Sequence, residues 1–474
     1  MSRIRANLIT NQSADGAPTV QNGLVVTGVT TATTFTGAHS GSGANLTALP
    51  AAQVTGTLPA ISGANLTSLT AGNLTGALPA ISGANLTGIA ATDNVRTGIL
   101  EVAGIATFSS DVNLPNINGS SISGRRNILM NGAMTVNQRV STAGVAYYNP
   151  VTSSIYTLDR WKVFIGSSFD TDSAQITKST QSPDGSSSSM KWDIGNTETP
   201  SSNQNCGIEQ KIEGQDMQHL AYGTSSANTM TLSFWVYSNK TGTYCVQPMQ
   251  TDGTKYQLHE YTVSSADTWE KKTITIVGNT SDAINDDNTD GMNILWHLTC
   301  GSSDYESASA TWTNSGGGGQ FKATSNQVNL WDNASNYWYL TGCQLEVGSV
   351  ATPFEHKKTG DELTLCQRYF QRLGYGRSST YVAIGILVNS TQARCTVNLG
   401  VSMRDQPTAS EVGTLKADTE MSSSTNVTSV VSDYTTVNGG RVNFNIDSHS
   451  QGQGQVIQIL TDTTTSGLDF DAEL

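Results

Sequence analysis

Residues 336–349 read NYWYLTGCQLEVGS, in which Tyr337, Tyr339 and Thr341 alternate with Trp338, Leu340 and Gly342. A period of two puts the two sets on opposite faces of a pleated backbone, so this stretch is one long β-strand. MTLSFWVYS (residues 230–238) and KKTITIVG (residues 271–278) have the same β-branched and aromatic character. Strand-like runs divided by Gly, Asn and Ser turns at this spacing are the pattern of a two-sheet β-sandwich. Trp, Tyr, Lys and Asp begin to appear together at Arg125, which marks the start of a globular domain over residues 125–358. A chain segment of that size with this pattern is expected to form a jelly roll.

Downstream lies TGDELTLCQRYFQRL (residues 359–373), with Leu363, Cys366, Tyr369, Phe370 and Leu373 at helical spacing and Asp361 and Glu362 near its start. This predicts a short amphipathic connecting helix, either gathered with copies of itself or docked on its own domain. Residues 374–474 contain TYVAIGILV, ARCTVNLGV, RVNFNI and QVIQIL, from which a small C-terminal β-sandwich is expected.

Upstream, no Asp, Glu, Lys or Arg occurs from Gly16 to Thr92, and SGANLT starts at Ser42, Ser62 and Ser82, a repeat of 20 residues. VTGTLPAI from Val54 is matched by LTGALPAI from Leu74. About five apolar side chains per repeat do not offset an ordering entropy of roughly 1–2 kcal/mol per residue, so each repeat needs neighbours. Three parallel chains around one axis would bury those side chains and pair the strand edges. The expectation is therefore an elongated, mainly β homotrimer whose repetitive shaft spans residues 20–124, with the repeats over 42–89, and whose residues 1–19 form an anchoring terminus. GLVVTGVTTATTF (residues 23–35) and GILEVAGIATF (residues 98–108) flank the repeats as further short strands.

Composition narrows the function. Charged residues are 13% of 474 and the formal charge is −13 with no basic stripe, which argues against nucleic acid as a partner. No run approaches the roughly 18 apolar residues of a membrane span, and the opening MSRIRAN lacks the apolar core of a signal peptide. Folding in a cytoplasm follows, and the recurring Asn-Leu-Thr triplets are then a product of repetition and not glycosylation acceptors. Six scattered cysteines, without CxxC or zinc spacing, are expected to be mostly buried thiols. There is no G-x-S-x-G, HExxH or P-loop.

Three stretches resemble bacteriophage tail-fibre proteins, those of cyanophages and other marine phages especially. They are the opening MSRIRAN with its low-complexity repeats, RNILMNGAMTVNQR (residues 126–139) with YTLDRW (residues 156–161), and the run from Tyr337 to Leu373. The resemblance implies a trimeric virion fibre, folded in the host cytoplasm before assembly. Its N-terminus would be held by a phage tail or adaptor protein, and its body would contain a carbohydrate-binding-like sandwich. Its far end would meet a host surface polysaccharide or another receptor. No catalytic motif is implied. The alternatives are a tailspike-like depolymerase, for which Asp304 and Glu306 are the available carboxylate pair, and a purely structural fibre.

A sugar face stacks on aromatic rings while polar neighbours bond its hydroxyls. Trp312 and Trp331, next to Gly- and Asn-rich loops, and Tyr375, Tyr381 and Tyr434, next to polar turns, are the candidate glycan contacts. Trp161, Trp192, Trp235, Trp296 and Trp338 read as core. No cofactor is expected; Asp282, Asp286, Asp287 and Asp290 crowd SDAINDDNTDG with oxygen ligands suited to Ca²⁺, against the plainer reading of an acidic turn.

Overall fold

The structure is a computed structural model that describes residues 126–139, 145–148, 155–166, 174–314, 321–419 and 422–474. It also describes residues 9, 13, 19–20, 22–34, 36, 116–117 and 120–121. The repeats over 42–89 lie outside the described residues. The chain divides into two compact units, 1–105 and 106–474. In the first, residues 23–34 have no strand or helix, and Leu24, Val25 and Val29 are strongly exposed.

The second unit opens with a minimal hairpin of β1 (Asn116–Ile117) and β2 (Ser120–Ser121). Next come β3 (Val145–Tyr148), β4 (Ile155–Tyr156), β5 (Lys162–Ile165), β6 (Ala174–Ser179), β7 (Ser189–Ile194) and β8 (Asn205–Glu213). After a 3₁₀ turn over Gly214–Leu220 follow β9 (Met230–Ser238), β10 (Gly242–Gln250), β11 (Lys255–Val263) and β12 (Glu270–Ile276). The set closes with β13 (Asp290–Cys300), β14 (Ser309–Asn314) and β15 (Tyr337–Val347). They form an antiparallel seven-stranded sheet, β14-β11-β10-β13-β8-β5-β4, and a six-stranded sheet, β12-β9-β15-β7-β6-β3. Side chains of both sheets share one core, so the arrangement is a β-sandwich with jelly-roll-like crossing between sheets.

Alternation explains the packing. On β15, Trp338 and Leu340 face inward and are fully buried; they lie across from Trp192 and Met190 of β7 and Ser238 and Val236 of β9. Trp161 and Trp296 meet at 5.5 Å between ring centroids, and Phe234 meets Trp296 edge-on at 5.7 Å. Each such ring removes about 200 Å² from water, about 5 kcal/mol at 25 cal/mol per Å². Of the tryptophans expected in the core, Trp235 alone is half-buried on the outer face of its sheet. All six cysteines are buried free thiols.

Residues 126–139 run along β15 without forming a strand. Asn127 donates to the Cys343 carbonyl (3.0 Å) and accepts from the Leu345 amide (3.0 Å), and the Cys343 amide donates to the Gly132 carbonyl (3.0 Å). A Cβ at Gly132 would lie 2.1 Å from that Cys343 oxygen, which explains the glycine.

The connecting helix is shorter than expected. Helix α1 covers Thr359–Gln367 and docks on its own domain, where Glu362 accepts from the Asn131 amide (2.5 Å). Residues expected to continue it instead form β16 (Phe370–Leu373). Phe370 and Leu373 satisfy a helical period, but the free edge of a downstream strand offers Phe370 both backbone partners and burial.

The remaining strands are β17 (Tyr381–Asn389), β18 (Gln392–Asn398), β19 (Thr408–Val412), β20 (Leu415–Thr419), β21 (Ser422–Thr436), β22 (Gly439–Ile446), β23 (Val456–Thr461) and β24 (Gly467–Asp471). They correct the expected C-terminal β-sandwich. Six close into a barrel, β17-β18-β22-β21-β20-β23, and β16-β24-β19 form a separate three-stranded sheet. Closure follows from β23 pairing with both β17 and β20, which leaves the ring no edge. Sandwich and barrel strands both bury alternate residues, so sequence alternation does not distinguish them.

A polar junction joins barrel and sandwich. Glu473 lies between Arg139 (2.8 Å) and Arg160, with which it makes a very short contact, and only 3% of its side chain is exposed. The two guanidiniums also cover Phe370 (3.6 Å to the ring centroid) and Tyr369 (3.4 Å). Arg372 holds Asp469 through two bonds of 2.6 Å, and Arg404 donates to Asn288 of the sandwich and to Ala472. Replacing Glu473 by Gln leaves Arg160 buried without its counter-charge, for which about 3–5 kcal/mol is expected. Denaturant unfolding should show that loss for Glu473→Gln, and a change below about 0.5 kcal/mol for Lys416→Ala at the partly exposed Lys416–Asp462 pair (3.9 Å).

Candidate functional site

The outer face of the six-stranded sheet holds a cluster of four aromatic rings. The alternation that buries Trp338 and Leu340 turns Tyr337 and Tyr339 outward, and register sets Tyr237 of β9 across from Tyr339 on one side and Lys191 of β7 on the other. Trp269 reaches the cluster from the turn before β12, which is held by Glu270 accepting the Ser264 and Ser265 amides (both 2.8 Å).

Tyr339 is the centre. Its ring meets Tyr237 edge-on at 5.3 Å, Tyr337 at 5.9 Å and Trp269 at 6.1 Å. Tyr237 lies 5.3 Å from Trp269 and is stacked with Tyr337 at 6.1 Å. Tyr339 is 5% exposed, while Tyr237, Trp269 and Tyr337 are half-buried and keep part of their ring surface open to solvent.

Polar groups rim the rings. Tyr337 donates its hydroxyl to Asp267 (2.5 Å), a bond that holds its phenol above the ordinary range. Lys191 pairs with Asp193 (2.7 Å) and lies 5.7 Å from the Tyr339 ring centroid. Burial works against the Lys191 ammonium, but the hydrogen bond and charge of Asp193 outweigh it and raise its pKa. Partly open aromatic faces with fixed carboxylates at their border suit a ligand that has both apolar faces and hydroxyls.

The residues singled out from sequence lie elsewhere. Trp331 is fully buried, edge-on to Trp192 at 6.0 Å, so it offers no face to a ligand. Trp312 is half-buried, with its indole N–H on the Val277 carbonyl (2.7 Å) and its ring edge-on to Tyr222. Tyr375 is half-buried, with the Arg372 guanidinium 5.4 Å from its ring centroid. Tyr381 and Tyr434 are 63% and 69% exposed on the barrel, but β18 and β22 separate their strands. Arg441 covers one face of Tyr434 at 4.1 Å.

The acidic turn is spent on local contacts. Asp282 pairs with Lys255 (3.5 Å) and Asp290 with Lys211 (2.9 Å), Asp287 accepts from the Thr289 hydroxyl (2.6 Å), and Asp286 is exposed. Among the described residues no three His, Cys, Asp or Glu side chains gather where a metal ion would be held. Asp304 and Glu306 both face Lys322, at 3.7 and 3.9 Å.

Sequence reasoning missed the whole aromatic cluster. Outward-facing Tyr337 and Tyr339 were visible in the alternation, but their meeting with Tyr237 and Trp269 depends on strand register and a turn.

No protein-family model and no curated protein matches the chain. Among solved structures, the enzymatically active domain of bacteriophage CBA120 tailspike protein 4 aligns over 45% of this chain and 22% of its own, at 10% identity and a TM-score of 0.23. The C-terminal family 22 carbohydrate binding module of a Clostridium thermocellum xylanase aligns over 43% and 98%, at 11% identity and a TM-score of 0.23. TM-scores this low decide neither fold nor function. Among the described residues no helix is long and apolar enough to cross a membrane.

The outer face of the seven-stranded sheet contrasts with the aromatic one. Glu209 on β8, 5% exposed, has Lys162 and Leu295 as its cross-strand neighbours. Burial pushes its carboxyl up to about 7 from the ordinary 4.5, despite the opposing pull of Lys211 and Lys162. The folded chain therefore favours the protonated acid. Stability is unaffected below pH 4.5, falls as the unfolded chain alone ionises, and carries the full penalty above pH 7. Relative to wild type, Glu209→Gln should change little at pH 4 and gain on the order of 3 kcal/mol at pH 8, measured by denaturant unfolding at both values.

Proposed function

We propose that this chain is a non-catalytic adhesin, a bacteriophage tail-fibre subunit that grips a glycan of the host surface through the Tyr237–Trp269–Tyr337–Tyr339 cluster. The observation that carries the reading is the cluster itself. Three rings, two on the sheet and one from the turn before β12, keep solvent-facing surface, and Asp267 and Asp193 stand at their border to bond hydroxyls. Exposed rings of this size cost free energy unless a ligand covers them, and sugars stack on such rings with their less polar faces.

The assembly proposed is a homotrimeric fibre attached to the virion by its N-terminus. An uncharged, repetitive segment with too few apolar side chains for its own core supports it, as do the exposed Leu24, Val25 and Val29. Several chains acting together convert weak single contacts into lasting attachment. Tyr434, on the barrel, is a second proposed contact with the receptor.

Trp269→Ala with Tyr337→Ala should lower the affinity of the purified protein for host surface polysaccharide about ten-fold by calorimetry, with unchanged circular dichroism. Unchanged affinity in the double variant would remove the cluster from the reading. Release of new reducing ends by the wild-type protein would favour a depolymerase instead.

A further inference from the structure

The barrel leaves an apolar stripe open on its outer wall. Ile386 of β17 and Val456 of β23 are direct cross-strand partners at 48% and 58% exposure, and Ile384, at 57%, lies next to them on the same face of β17. Tyr381 extends the stripe, opposite the half-buried Leu460. Contiguous side chains of this kind on a closed barrel are not needed for its core, which Leu387, Phe444, Ile457 and Ile459 already fill.

The flanks of the stripe differ in charge. Register places Asp418 of β20 beside Gln458, which pairs with Ile384, while on the other side Arg394 of β18 pairs with Ile386. Among the described residues neither Asp418 nor Arg394 forms an ion pair, although Lys416 and Arg441 nearby do. An apolar band with an unpaired acid on one flank and an unpaired base on the other is complementary to a second copy of itself, set side by side and turned about an axis along the stripe. The acid of one copy then meets the base of the next, a head-to-tail contact of the kind that closes into a ring when its rotation divides a full turn. A partner of uniform charge would satisfy one flank and oppose the other.

We propose that the β17–β23 stripe is the seam between copies of this chain, with Asp418 of one copy paired to Arg394 of its neighbour. The proposal rests on the reading that the chain assembles with itself, and it assigns Tyr381 to the seam and not to receptor contact.

The test uses the full chain with a cysteine introduced at Ile386, since all six native cysteines are buried. A control carries a cysteine at Asn438, in the exposed β21–β22 turn. Light scattering gives the mass, and native maleimide labelling reports whether position 386 is covered. The expected result is a mass that is a multiple of 50.1 kDa, with Ile386→Cys labelled at least ten-fold more slowly than the control. Asp418→Arg or Arg394→Asp alone should bring labelling up to the control rate, and the two together should restore protection, which damage to the barrel would not do. An assembled chain labelled at 386 as fast as the control, or protection that ignores the charge reversals, would overturn the seam and leave assembly standing. A mass of 50.1 kDa would overturn both.

Discussion

The position of Glu473 between Arg139 and Arg160 governs how the barrel and the sandwich are held together. Taking a carboxylate and two guanidiniums out of water is costly, and the arrangement is stable because Arg160 has Glu473, Arg139 has both Glu473 and Asp471 (3.2 Å), and the guanidinium planes lie on Phe370 and Tyr369. Phe370 opens β16 and Tyr369 immediately precedes it, so the junction also accounts for why the helix stops at Gln367 and the chain turns to pair with β24. Through Arg404 the same junction reaches the Asn288 loop of the sandwich.

Within the sandwich, the two sheets treat their outer faces differently. The six-stranded sheet displays aromatic rings gathered edge-on around a buried Tyr339, and the outer three, Tyr237, Trp269 and Tyr337, keep part of their surface open. The seven-stranded sheet displays a carboxyl so poorly hydrated that it holds its proton near neutral pH. The inner faces are alike, both filled by large rings, because a core rewards volume and contact whatever the strand. Function is thus to be sought on the outer face of the six-stranded sheet, because a second buried cluster around Phe164, Leu258 and Leu295 covers that of the seven-stranded sheet.

Much of the architecture was legible in the sequence. Alternation in residues 336–349 determined that Trp338 and Leu340 point inward and Tyr337 and Tyr339 outward, and burial of the cysteines followed from their lack of ligand spacing. The helix was legible at its start, where Asp361 and Glu362 suit the positive end of the helix dipole, but not at its end. There the helical and strand patterns of Tyr369, Phe370 and Leu373 overlap, and a strand nearly a hundred residues later settles the competition.

What only the tertiary structure decided are the relations between strands distant in sequence. Period-two patterning is a property of one strand and says which face is buried, so it predicted β structure throughout. It is silent on which strands pair, and for that reason a barrel looked the same as a sandwich. The ring cluster joins side chains from residues 237, 269, 337 and 339, and the flanks of the barrel stripe join 394 and 418, because backbone hydrogen bonding sets the register that brings them together. Trp331, judged by its loop neighbours, looked exposed; its burial reflects the Trp192 ring packed against it, which local sequence does not encode.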